Sequence, residues 1–350
     1  MKSMIRKGKY IYGILPGQIT DKVDEFKIAG IELISYNDVS AVVKESDIID
    51  YDNISKEKTA RVLLDHQQVI EKVMSLGYNI IPMKLGTVAV NETYINRFLK
   101  NGFSFIKEIG QKTDDTIEID IVATWGDFQS TLKEISEEKK IKEFKQNLIA
   151  NPSGITIQDQ QKIGVMIAKA IDQKRIEYAK IFHNKLSSVS IQTKKHDVMN
   201  EQMLLNTAFL VDKNKIDIFD NKVDEVNDEF QDKLNFRYIG PLPCYSFYTF
   251  EIEHIDFDDI DSARMKLGLK KSADIKEIKK AYKNAAMKTH PDKNPEKTDM
   301  DDEFDTLHSA YKTLATYCIT SADNNGYCFF EEEKVNNNNI IIKLKDFKYE

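Results

Sequence analysis

The stretch KEKTARVLLDHQQVIEKVMSLGYNIIPMKLGTVAV, residues 56–90, changes its repeat at Gly77. Before that point Val62, Leu63, Val69, Val73 and Leu76 fall on helical spacing and give the helix one apolar face. Gly77 stands where a helix ends, because glycine turns the chain out of the helix without steric cost. Beyond it, YNIIPMKLGTVAV reads as a strand interrupted by Pro82 and Gly86. On the N-terminal side, KYIYGIL (9–15) and VSAVVKE (39–45) are short β-rich runs. On the C-terminal side, NETYINRFLKNGFSFIKEIG (91–110) reads as a second amphipathic helix with Asn91 as its N-cap. TIEIDIVATW (116–125) alternates and is expected to close the set as a last strand. Strands separated by helices on one side predict a ferredoxin-like α+β domain over residues 1–130.

Residues 131–255 read as a helical linker followed by a second α+β domain. DFQSTLKEISEEKKIKEFKQNL is charged and helical, IANPSGI is a break, and 162–189 form one long helix. MLLNTAFLVD reads as a strand and KNKIDIFDNKVDEVNDEFQDKL as a helix. NFRYIGPLPCYSFYTFEIE reads as a strand pair around a proline-glycine turn. From about Phe257 the pattern turns all-helical: DSARMKLGL, DIKEIKKAYKNAAMKT, the loop HPDKNPEKT, then DMDDEFDTLHSAYKTLATYC. This gives a helical domain at 256–320. Residues 321–350 are expected to be an asparagine-rich linker and a β-like tail that pairs back on a sheet or stays loose.

Between Asp274 and Thr289 lie five lysines against two acids, a basic helix in a chain of formal net charge −7. Ile275, Ile278, Tyr282 and Ala285 recur at helical steps, and Phe304, Leu307, Ala310, Tyr311 and Leu314 form a matching stripe. Two such helices pack antiparallel and leave the His290-Pro291-Asp292 loop at their tip.

The remaining numbers mostly exclude. With 41% hydrophobic and 31% charged residues the composition is that of a soluble globular protein, and its acidity argues against nucleic-acid binding. Cys244, Cys318 and Cys328 lack metal-type spacing and are expected to be reduced thiols. YIYGIL is too short for a signal-peptide core, and no stretch approaches transmembrane length, so a cytoplasmic protein without membrane association is expected. The phosphate-loop, dinucleotide, zinc-protease and serine-elbow motifs are all absent, so no enzyme, cofactor or metal is expected. His66 reads as a packed or capping histidine and Trp125 as core. Lys84-Leu85-Gly86-Thr87 and Gly240-Pro241-Leu242-Pro243 read as structural turns.

The run from ARMKLGL through IKKAYKNAAMKTHPDKN to FDTLHSAYKTL resembles the J-domain of DnaJ-type co-chaperones, over residues about 257–320. The resemblance implies that His290, Pro291 and Asp292 contact a DnaK-type Hsp70 chaperone. It further implies that Lys279, Lys280 and Lys283 meet an acidic face on it, above a core of Ile278, Tyr282, Phe304, Tyr311 and Leu314. Pro291 fixes its own φ and restricts His290, so the loop has few poses. Ala285 stands where the family usually has leucine, and Thr289 where an aromatic is usual.

YIYGIL, VSAVV, HQQVIEKVMSLGYNIIPMKLGTV, MLLNTAFLVDKNKIDIF and YIGPLPCYSF resemble blocks of the gas vesicle GvpL/GvpF family, in order, over residues about 9–252. Leu85, Leu242 and Cys244 depart from its usual phenylalanine, tryptophan and proline. The resemblance implies two α+β portions linked by helices, the first ferredoxin-like. It also implies a non-enzymatic, vesicle-associated assembly factor that binds the hydrophobic shell protein together with other vesicle accessory proteins. The combined expectation is an assembly factor with an all-α J-domain hairpin that recruits Hsp70. Its alternatives are a minor structural vesicle component with an inert J-like domain, and a general co-chaperone with a client-binding N-terminal region.

Overall fold

The computed structural model describes residues 7–19, 23–48, 51, 54–150, 155–230, 233–289, 300–323 and 325–345. Its contacts divide the chain into two compact units, residues 1–114 with 248–350, and residues 115–247.

The first unit begins with β1 (Lys7–Leu15), α1 (Val23–Ile28), β2 (Glu32–Tyr36), β3 (Val39–Asp47) and α2 (Lys56–Ser75). It continues through β4 (Ile81–Pro82), β5 (Val88–Ala89), α3 (Glu92–Asn101) and α4 (Phe103–Thr113). The strands form one sheet in the order β2-β3-β1-β4, with β5 also paired to β1. β1 sends Tyr10 and Tyr12 to α2, while Ile11 and, beyond a bulge between Ile11 and Gly13, Ile14 meet Ile95, Phe98 and Ile106 of α3 and α4. Helices therefore cover both faces of the sheet, rather than the single face expected. Asn91 caps α3 through its side chain, which accepts from the Tyr94 amide at 2.9 Å. The expected single helix over 91–110 breaks at Gly102, whose side-chain-free backbone closes one helix and opens the next.

The second unit holds β6 (Thr116–Trp125), α5 (Phe128–Ser136), α6 (Lys139–Ile149) and the long α7 (Ile157–Ser187). After these come β7 (Gln192–Lys195), β8 (Met203–Asp212), α8 (Ile216–Glu229) and β9 (Leu234–Leu242). Its sheet is antiparallel in the order β7-β8-β6-β9. β6, expected to close the first sheet, is thus an inner strand of the second. Its odd-numbered residues Ile117, Ile119 and Ile121 face a core built with Phe182 and Leu186 of α7 and Phe219 and Val226 of α8. The Phe182 and Phe230 rings stack there at 5.2 Å.

The chain then returns to the first unit with β10 (Phe250–His254), α9 (Phe257–Lys266), β11 (Ser272–Asp274), α10 (Ile275–Thr289) and α11 (Met300–Ser321). It ends with β12 (Tyr327–Phe329), α12 (Glu332–Asn337) and β13 (Ile340–Leu344). The expected hairpin over 235–253 does not form: β9 pairs with β6, and β10 pairs antiparallel with β13. Part of the asparagine-rich stretch is helical in α12, and the tail does pair back, from Phe250↔Leu344 to His254↔Ile340.

Candidate functional site

The helical module at the C-terminal end is built on α9, α10 and α11. Ile278 of α10 is fully buried against Leu307, Tyr311 and Leu314 of α11 and Ile260 of α9. Tyr282 stacks on Tyr311 with ring centroids 4.6 Å apart, and Phe304 is half-buried. Burial pushes the Tyr311 hydroxyl pKa up. At the head of α10 the backbone N–H of Asp274 donates to the Glu277 carboxylate and that of Glu277 to the Asp274 carboxylate, the reciprocal cap of a helix start. With the apolar stripe turned inward, Lys279, Lys280 and Lys283 lie exposed along the other side of α10. His290, Pro291 and Asp292 lie outside the described residues.

Around this module the chain adds a feature that pattern reading missed. β11 and β12 form a two-stranded ribbon, and Cys318 and Cys328 both donate to the Ala273 carbonyl at its centre. All three cysteines are free and buried. The hydrogen bond with the neighbouring Cys318 thiol, together with burial, pushes Cys328 far above the ordinary thiol range, so Cys328 is a packing thiol and a poor nucleophile.

In the N-terminal sheet two of the quoted sequence blocks meet at one hydroxyl. Tyr10 Oη accepts from the Gly86 amide at 3.1 Å and contacts His66 Nδ1 at 3.0 Å. The hydroxyl can accept from Gly86 and still either donate to Nδ1 or accept from it, according to the tautomer of His66. Burial lowers the His66 pKa to about 4 and raises Tyr10 to about 12. A cleft of about 590 Å³ opens beside these rings, over Tyr12, Lys44, Tyr51, Arg61 and Asp65. Four of its charges pair with one another: Lys44 lies 3.4 Å from Asp65 and Arg61 2.6 Å from Glu57, and Tyr12 also donates to Asp65. The Lys84–Thr87 segment is a turn in which Thr87 donates twice to the Lys84 carbonyl and Gly86 takes φ +85°.

In the second unit the face of β6 opposite its core carries a buried carboxylate, Glu118, that sequence pattern alone marks only as a polar residue in an alternating strand. The segment after β9 crosses over it. Ser246 donates to it, His196 Nε2 lies 3.0 Å from Ser246 Oγ, and Lys194 donates to the Ser246 carbonyl. Serine stands between histidine and carboxylate here, whereas a catalytic triad needs the histidine in the middle. The cluster fastens a loop. Among the described residues no group of three or more histidine, cysteine or acidic side chains could hold a metal, and no helix is long and apolar enough to cross a membrane.

A two-part α+β body carrying a three-helix module with an exposed basic helix defines an α+β protein fused to a small all-helical module. The family model described as gas vesicle synthesis protein GvpL/GvpF matches residues 8–249, and a DnaJ domain model matches residues 265–317. The chain belongs to the GvpL/GvpF family and carries a J-domain. It is 24% identical over 250 residues to gas vesicle protein F of Nostoc sp., covering 69% of this chain and 97% of that one. It is 23% identical to gas vesicle protein F1 of Halobacterium salinarum, covering 69% and 93%. A stretch of 49 residues is 51% identical to the chaperone protein DnaJ of Chlorobium luteolum, over 13% of that chain. Among solved structures, GvpF from Anabaena sp. superposes with a TM-score of 0.56 at 22% identity, covering 69% of this chain and 98% of that one.

Proposed function

We propose that this chain is an accessory factor for gas vesicle assembly whose α+β body binds the hydrophobic shell protein and whose J-domain recruits a DnaK-type Hsp70. The observation that supports it is a complete three-helix core, with Lys279, Lys280 and Lys283 exposed on α10, built into a GvpL/GvpF chain. A shell subunit that turns an apolar face to gas aggregates if released freely into water. Holding it beside a recruited ATP-driven chaperone couples its delivery to the chaperone cycle. In this reading His290, Pro291 and Asp292 make the specific contact, and the lysines steer encounter with an acidic face. The protein acts in the cytoplasm at the growing vesicle, alongside other vesicle accessory proteins, and performs no chemistry of its own.

The test is single-turnover ATP hydrolysis by a DnaK-type chaperone with the full chain and with its His290→Gln variant, together with shell-protein co-purification. Stimulation by the full chain that disappears in His290→Gln supports the reading. A full chain that never stimulates, with vesicles still forming after deletion of 257–320, would establish an inert J-like domain on a structural component. Ala285, half-buried where leucine is usual, thins the α10–α11 core and is the feature that favours this second outcome.

A further inference from the structure

Neither family match reaches residues 340–344, yet β13 is among the most buried segments of the chain. Ile340, Ile341, Ile342 and Leu344 are 3%, 0%, 0% and 5% exposed. The strand's alternation divides them between two cores. Ile340, Ile342 and Leu344 pack with Phe98, Phe105 and Phe250 of the N-terminal domain, while Ile341 packs with Tyr317, Phe330 and Val335 of the helical module. Gly102, the residue that breaks α3 from α4, admits Ile342, since a Cβ there would stand 2.3 Å from Ile342 Cγ2. The β10–β13 ladder runs on at both ends, through Lys345 N–H to the Thr249 carbonyl and Ile255 N–H to the Asn339 carbonyl. Lys343 adds ion pairs to Glu251 and Glu253 across the ribbon. α11 reaches the same wall, with Ile319 packed on the N-terminal core. The J-domain therefore leaves the N-terminal domain through β10 and is tied back into it through β13.

We propose that the C-terminal strand is a clasp that holds the J-domain in a single pose against the N-terminal domain, so that a recruited chaperone is presented at one fixed place on the assembly factor. The presentation step rests on the recruiting role given above; the clasp itself does not. A J-domain on a flexible tether would need only its entry strand. A strand with one apolar face in each of two cores makes the domains share a wall, and moving one domain against the other means opening both cores.

Pulsed electron paramagnetic resonance distances test the clasp in the full chain. Leu64→Cys on α2 and Lys276→Cys on α10 are exposed label sites, and the buried native cysteines leave labelling selective. One narrow distance peak is expected, changing to a broad distribution when the chain ends after Asn337 or carries Ile341→Asn, which alters only the face turned to the J-domain. Ile341→Ala replaces either variant if circular dichroism shows that it has not folded. A broad distribution in the full chain, or a narrow one that persists in the folded variants, overturns the clasp. Chaperone-stimulated ATP hydrolysis, measured on the same samples, reports on the recruiting role separately: its absence in every form counts against recruitment and leaves the distances to judge the clasp.

Discussion

Ser246 donates its backbone N–H and its hydroxyl to the two carboxylate oxygens of Glu118, each at 2.7 Å. Two donors on a buried carboxylate fasten the chain after β9 across the open face of the second sheet. Burial pushes the Glu118 carboxyl well above its ordinary range, the Ser246 bonds work against that shift, and Asp120 two residues along the same strand face adds to it. Asp120 is itself raised by burial and opposed by His196. The donors therefore offset only part of the cost of burial, and the folded chain favours the protonated carboxyl.

This arrangement has a definite sign with pH. A carboxyl that holds its proton more tightly in the folded chain stabilises the fold below the unfolded value of 4.5, and the contribution is lost as pH rises from there through neutrality. Trp125 is the single tryptophan and is buried in this unit's core, so its fluorescence reports this unit's unfolding. The urea midpoint followed by Trp125 should fall between about pH 5 and pH 8, and Glu118→Gln should flatten the slope. A Glu118→Gln chain with the same slope as the parent would assign it elsewhere.

On α10 the expectation concerns rates. Exposed lysines contribute to encounter more than to the bound state, so Lys279→Ala, Lys280→Ala and Lys283→Ala together should slow association with a DnaK-type chaperone roughly tenfold at low salt. The gap should close as salt is raised, while dissociation changes little. Stopped-flow association over a salt series checks this. A deficit that persists in high salt would mean that these lysines make short-range contacts in the complex.

Gly86 gives a sharper structural test. Its φ of +85° lies in the region that favours glycine, and a Cβ there would stand 2.7 Å from Tyr51 Cβ. Gly86→Ala should cost about 1–3 kcal/mol of stability, read from urea midpoints. It should also loosen the Gly86 amide bond to Tyr10.

The sequence made the local elements legible because their causes are local. Asn91 caps where its side chain predicts, Gly77 ends α2, and the Ile278, Tyr282, Tyr311 and Leu314 stripe is the core of the helical module. Partners of strands were another matter. Period-two alternation fixes which face of residues 116–125 is buried but carries no record of which strand lies alongside, so β6 was expected in the wrong sheet. The pairing of β10 with β13 joins residues separated by the whole J-domain, and an aliphatic run such as Ile340–Ile342 reads alike for any buried strand. Gly102 could be read only as an interruption, because its reason is a side chain from the far end of the chain. Glu118 was hidden for a similar reason: the serine that makes its burial tolerable comes from another element.

His66 sets the opposite pH dependence in the first unit. Its ring is 2% exposed, its Nδ1 shares a 3.0 Å hydrogen bond with the Tyr10 hydroxyl, and burial lowers its pKa from 6.5 to about 4. The nearby Asp65 charge opposes that shift without reversing it, and Asp65 is already engaged by Tyr12 and Lys44. A base that holds its proton less tightly when folded contributes stability fully present above 6.5 and lost as pH falls from there through about 4. A charged ring donates from both nitrogens, so Tyr10 could then only accept from His66 while also accepting from the Gly86 amide. The loss should reach on the order of 3 kcal/mol, the free-energy equivalent of that shift. Hydrogen exchange of the backbone amides of β1 and α2 should accelerate below about pH 5.5 beyond the intrinsic trend, and His66→Gln, which cannot charge, should remove the acceleration at some cost to stability at neutral pH. Unchanged acid sensitivity in His66→Gln would move the cause to the carboxylates of the first unit. Because the second unit weakens in the other direction, the two probes should cross within one protein: Trp125 reports loss toward high pH and the β1–α2 amides report loss toward low pH.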